Sequence, residues 1–177
     1  MNPKAASVIS AIEHATRHMK TSTGGVEQPP LDPKQAWGAH CSALFRETMR
    51  QLASRGTFVD RQFVDENADA NEIGRRIRHA HAHWEKIDLQ KAQKDANDGA
   101  VVVGSYINPT PGEPGHLGFV YPAEIHRSHP LVRDGNIHRN KTTGAITGAS
   151  SYGAVPAGVA FPLGHTSWFK YRHSVRS

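Results

Sequence analysis

The sequence predicts an α+β fold, with N-terminal helices packed on an antiparallel sheet. Three observations predict it. Apolar residues recur at intervals of three and four through most of the first hundred positions, the period of a helix with one buried face. A β-branched run, Ala100-Val101-Val102-Val103-Gly104-Ser105-Tyr106-Ile107, then breaks that pattern. A turn carrying three prolines and two glycines (108–115) joins this run to a second strand, so the two pair as a hairpin. With 177 residues the chain suits a single domain, 1–177, with a core of its own.

The elements follow in order. Val8, Ile9, Ala11, Ile12 and Ala15 paint the stripe of a first helix. Residues 21–33 are dominated by Thr, Ser, Gly and Pro and read as a loop. From Cys41 onward, Leu44, Phe45, Met49 and Leu52 make a second stripe, with Cys41 on its first turn. Ile73, Ile77, Ala80 and Trp84 give a helix over 68–84, and residues 88–96 give another, closed by Asn97-Asp98-Gly99. In the second hairpin strand, Gly115-His116-Leu117-Gly118-Phe119-Val120-Tyr121, residues 117, 119 and 121 face one way and 116, 118 and 120 the other. Gly118 leaves space beside His116, enough for the first turn of a helix to approach. Further strands are expected near 131–133, 153–161 and 167–172, limited by Pro156 and Pro162.

Composition narrows the functional classes. A single cysteine allows no internal disulfide and no cysteine-rich zinc site. The net charge of +5 is uneven: residues 1–107 hold 14 Lys+Arg against 13 Asp+Glu, and residues 108–177 hold 7 against 3. Such a surplus attracts nucleic acid, anionic lipid or anionic cell-wall polymer without choosing between them. The short apolar run at the N-terminus ends at Glu13 without a cleavage signal, and no stretch of about 20 apolar residues would span a membrane. The expectation is a protein made soluble, without a signal peptide and without membrane insertion. There is no phosphate-loop or dinucleotide fingerprint, so no nucleotide cofactor is expected.

Two residues carry the chemistry. A thiol at a helix N-terminus faces backbone N–H groups that lack intrahelical acceptors and the positive end of the helix dipole, which favour thiolate. Cys41 holds that position, although a lone cysteine is more often a small buried hydrophobe. His116 sits at the start of a strand, where a core histidine with a backbone partner is the ordinary alternative. The run 92–108, which includes Ala96-Asn97-Asp98-Gly99, followed by Gly115-His116-Leu117-Gly118-Phe119-Val120-Tyr121-Pro122, resembles the NlpC-type and CHAP-type peptidoglycan hydrolases, in particular the amidase effectors of type VI secretion. Trp84-Glu85-Lys86-Ile87 is similar as well. The resemblance covers roughly residues 35–122.

That resemblance implies a papain-like core with Cys41 as nucleophile and His116 as its base, cutting the peptides of peptidoglycan with no cofactor or metal. It also implies delivery to the periplasm or cell wall of a target cell and an immunity protein as partner. The group orienting the imidazole comes, in that family, from the strand after the histidine. Here this makes Asp134 the first choice, with Glu124, Asn136 and His138 as alternatives; Asp134-Gly135 also reads as a plain turn. Gln35, six residues before Cys41, has the offset of a papain-like oxyanion glutamine.

Other features read as structural. His79, His81 and His83 alternate on a predicted helix, which puts only His79 and His83 on one face and lacks the Glu of a His-Glu-x-x-His zinc motif. Trp37, Trp84 and Trp168 are the aromatic candidates to line a sugar-binding groove; Trp84 continues a helical stripe and reads as core, while Trp37, next to Cys41, is the tryptophan placed to stack on sugar. Two competing readings use the same residues differently. One is a papain-like acyltransferase or a protease on another substrate; the other is a basic nucleic-acid-binding module in which Cys41 is merely packed.

Overall fold

The computed structural model describes residues 2–22, 40–123, 129–135, 137–139, 146–149 and 154–176. Of the loop predicted over 21–33, Thr21 and Ser22 instead continue the first helix; the rest of it, with Gln35, Trp37, Glu124 and Asn136, lies outside the described residues. Among the described residues, five helices and a six-stranded antiparallel sheet make an α+β fold. The chain runs α1 (Pro3–Ser22), α2 (His40–Ser54), a 3-10 turn (Arg61–Phe63), α3 (Ala70–His79), β1 (Trp84–Ile87), α4 (Leu89–Asn97), β2 (Val102–Tyr106) and β3 (His116–Val120). It continues through β4 (Leu131–Arg133), β5 (Ile137–Arg139), β6 (Ile146–Ala149), β7 (Val155–Pro156), α5 (Ala157–Ala160), a 3-10 turn (Leu163–His165) and β8 (Ser167–Tyr171).

The main sheet has the order β1-β8-β2-β3-β4-β7, and β5 and β6 form a separate two-stranded ladder. Strand alternation sorts the core into two faces. Val101, Val103, Leu117, Phe119, Phe169 and Tyr171 meet Val8 and Ile12 of α1, Phe45 and Met49 of α2, and Ile73 and Ile77 of α3. Val102, Val120, Val132 and Trp168 face the other way, under Ala92 and Ala96 of α4 and Phe161. The helical stripes read from the sequence are these buried faces, and α2 is seated by Phe45 lying flat on Phe119, with ring centroids 5.5 Å apart.

Two elements differ from expectation. The helix predicted over 68–84 stops at His79, and Trp84–Ile87 is instead an edge strand on β8, with Trp84 opposite Tyr171. Trp84 keeps the four-residue interval of the helix stripe. Its burial comes from Phe63, Phe45 and Tyr171 packed around a strand, so a partner more than eighty residues away decides the local structure. The strand predicted over 153–161 pairs only at Val155 and Pro156, on an edge where a proline costs no ladder bond. Ala157–Ala160 then makes one helical turn that brings Phe161 back over the sheet.

Candidate active site

Cys41 is the second residue of α2 and is 3% exposed. Its apolar surroundings follow from the stripe it shares with Phe45 and Met49. As a first-turn residue it offers a backbone N–H with no acceptor inside the helix. His116 opens β3 opposite Tyr106, at the end of the sheet nearest that first turn, and its ring makes a side-chain hydrogen bond with Cys41. The structure therefore brings together the two residues singled out from the sequence.

Asp134 directly follows β4 and has no solvent exposure. Its Oδ2 lies 2.6 Å from His116 Nε2, which places the proton of that nitrogen between ring and carboxylate. With Nε2 so engaged, Nδ1 is the ring nitrogen left for the sulfur. Gly135 does adopt a turn conformation (φ 78°), so the turn reading of Asp134-Gly135 and the orienting reading describe the same segment. His138 is on β5, in register with Gly148.

The space beside Gly118 is filled differently from expectation. A Cβ there would stand 3.1 Å from the Cβ of Asp134 and 3.2 Å from both the Arg133 carbonyl oxygen and the Phe161 ring. The room is thus used by β4 and Phe161. Helix α2 packs on the opposite face, through Phe119, and reaches His116 only at the sheet's end. Phe161 also lies against the imidazole, with ring centroids 4.8 Å apart.

Electrostatics follow from this enclosure. Burial works against the protonated ring. The hydrogen bonds that the ring donates to Asp134 and Cys41, with the attraction of both groups, outweigh it and raise His116 from 6.5 to about 10. The imidazole side chain keeps 13% exposure while Asp134 keeps none, so of that pair the ring is the part that meets solvent. Beside the first turn of α2 opens a cleft of about 460 Å³, lined by Ser42, Asp69, Asn71, Arg75 and the turn between β2 and β3.

Comparison of the chain with protein families and with curated proteins finds no match. The site is thus read from its own geometry.

Several residues in and around it carry no motif a sequence would reveal. Gln93 is buried on α4; its Nε2 donates to the Tyr121 carbonyl and its Oε1 accepts from the Leu131 N–H, joining the end of β3 to the start of β4 that precedes Asp134. Arg133, on β4, pairs with Glu13 of α1 at 2.6 Å. Among the sequence's other candidates, Trp84 and Trp168 are buried and present no face to a sugar. His79 ends α3, while His83 stands in the following turn, where Nδ1 lies 2.8 Å from His173 Nε2 and Nε2 lies 3.2 Å from Asp60. These rings do not share a helix face. Among the described residues there is no group of three or more His, Cys, Asp or Glu side chains disposed to hold a metal ion.

Proposed function

We propose that the chain is a cysteine hydrolase that cleaves amide bonds in the peptides of peptidoglycan, using Cys41, His116 and Asp134 on a papain-like core. The observation that carries the reading is the wholly buried Asp134 carboxylate held 2.6 Å from an imidazole that in turn bonds the sole thiol. Near-complete burial of Cys41 favours a packed, structural cysteine. Such a cysteine has no use for a buried carboxylate and imidazole, whose desolvation costs several kcal/mol per ion; clustered, perturbed groups of this kind concentrate at working sites.

In the proposed reaction His116 already holds the proton beside the sulfur, and the sulfur attacks the scissile carbonyl carbon. The Cys41 N–H is positioned to donate to the developing oxyanion. The imidazolium, steadied by Asp134, gives its proton to the departing amine; the neutral ring then draws a proton from the water that hydrolyses the thioester. The substrate class rests on the resemblance at 92–108 and 115–122 together with the basic C-terminal part, which suits an anionic wall polymer. On the same basis the protein is an antibacterial effector or lytic enzyme delivered to the wall, with an immunity protein as its partner.

Purified cell walls test the proposal. The wild-type protein should release free amine groups from them, and Cys41→Ala and His116→Ala should each abolish the release while remaining folded. A Cys41→Ala protein that still solubilises walls would end the reading.

A further inference from the structure

Asn71 is the second residue of α3 and bonds both legs of the turn that joins β2 to β3. Its Oδ1 accepts from the Asn108 N–H at 2.9 Å, and its Nδ2 donates to the Glu113 carbonyl at 2.9 Å. Within the turn, Asn108 Nδ2 donates to the Pro114 carbonyl, the Thr110 N–H to Asn108 Oδ1 and the Glu113 N–H to the Thr110 carbonyl, while Pro109, Pro111 and Pro114 have no N–H to add; Asn71 is what ties this turn to α3. Past the second leg, Gly115 comes so close that a Cβ would collide with Asn71 Oδ1 and stand 2.7 Å from the Tyr106 carbonyl oxygen. The next residue is His116. At its other side α3 is tied to the cysteine helix, since Arg46 of α2 donates to the Ala68 carbonyl at 2.7 Å, just before α3 begins.

We propose that Asn71 is the positioning residue that fixes the histidine strand relative to the thiol helix, through the chain Cys41 helix, Arg46, α3, Asn71, Gly115 and His116. The role rests on the hydrolase reading for its consequence in catalysis, but its structural content concerns the Cys41–His116 contact itself. Only a primary amide fits, since one oxygen must accept and one nitrogen must donate at the same time. An aspartate has the same shape and would turn a carboxylate oxygen toward the Glu113 carbonyl. Loss of the clamp lets the β2–β3 turn move away from α3, and the ring of His116 with it.

The test compares Asn71→Ala, Asn71→Asp and Gly115→Ala with Arg76→Gln, which weakens α3 through bonds to Gln62, Asp65 and Glu72 that do not touch the hairpin. The readouts are the titration of the His116 ring nitrogens by NMR and the rate of amine release from cell walls. In the Asn71 and Gly115 variants the His116 midpoint should fall by one unit or more toward 6.5, with at least a tenfold loss of rate, while Arg76→Gln leaves the midpoint in place. Should Asn71→Ala fail to fold, Asn71→Asp carries the comparison. The role is overturned if folded Asn71 variants titrate as wild type, or if Arg76→Gln moves the midpoint equally. A wild-type midpoint that is high and insensitive to Asn71 removes the positioning role alone, whereas hydrolysis surviving Cys41→Ala removes the hydrolase reading and leaves the titration to decide on Asn71.

Discussion

A carboxylate with no solvent contact stands 2.6 Å from one nitrogen of an imidazole, and that fixes which nitrogen is left to face the sulfur. The same contact decides how the site titrates. His116 is raised from 6.5 to about 10, by partners that outweigh its burial. A base whose folded value lies above its unfolded value contributes stability that is fully present below 6.5 and is lost as pH rises through about 10. Asp134→Asn keeps an acceptor for the ring but removes the charge that holds its proton. The variant should therefore lose stability relative to wild type at pH 6, and the gap should close as pH approaches 10 in thermal melts. Its kcat should drop on the order of 10²-fold, because general acid–base transfer contributes about 10²–10⁴. On the alkaline side the wild-type rate should fall as the imidazolium loses its proton near 10, and Asp134→Asn should bring that fall to lower pH. A variant whose alkaline limb does not move would show that Asp134 has no hold on the ring.

The elements that carry this site differ in how far the sequence announces them. The hairpin at 100–121 is legible because its β-branched runs and its proline-rich turn are local signals, and the cysteine helix is legible because Leu44, Phe45, Met49 and Leu52 fix its buried face. Cys41 and His116 stand at the starts of these two readable elements. Asp134 is reached only through the family resemblance, since its own residues read equally as a turn, and β1 is not readable at all, since Trp84–Ile87 becomes a strand through pairing with Trp168–Tyr171. Gln93 is hidden for a similar reason: on the α4 pattern it is one more polar residue, yet it is 2% exposed and its bonds to Tyr121 and Leu131 hold the β3–β4 connection. Gln93→Ala would leave the part-buried Tyr121 carbonyl and Leu131 N–H without these partners, at up to about 1–3 kcal/mol for each group left unsatisfied. We expect a destabilisation of about 2–4 kcal/mol, read as a Tm lower by roughly 5–15 °C. A change below about 0.5 kcal/mol, the ordinary effect of a surface substitution, would mean that the connection is held without Gln93.

At the scale of the whole molecule, the sheet closes on its own C-terminal strand: β8 lies between β1 and β2, so the segment after it is drawn back against the turn that precedes β1. There His173 Nε2 meets His83 Nδ1 at 2.8 Å, His83 Nε2 meets Asp60, and the Arg172 N–H donates to the His83 carbonyl. The rings of Phe58 and Tyr171 pack on His173. Two protonated rings at this contact would turn N–H groups on each other. Burial and the neighbouring His83 accordingly lower His173 below 6.5. A base lowered on folding binds more protons when unfolded, so stability falls as pH drops through about 6.5, well above the range where Asp60, itself lowered from 3.8, takes up a proton. His116 acts with the opposite sign, and its contribution is lost only toward alkaline pH. The two histidines thus act on opposite sides of neutrality, His173 on the acid side and His116 on the alkaline side. His173→Gln keeps a donor for His83 without a titrating ring, so its Tm should change less than that of wild type between pH 7 and pH 5 while the alkaline limb is unchanged. An acid limb equally steep in His173→Gln would assign it to other groups and remove the His83–His173 contact from the account.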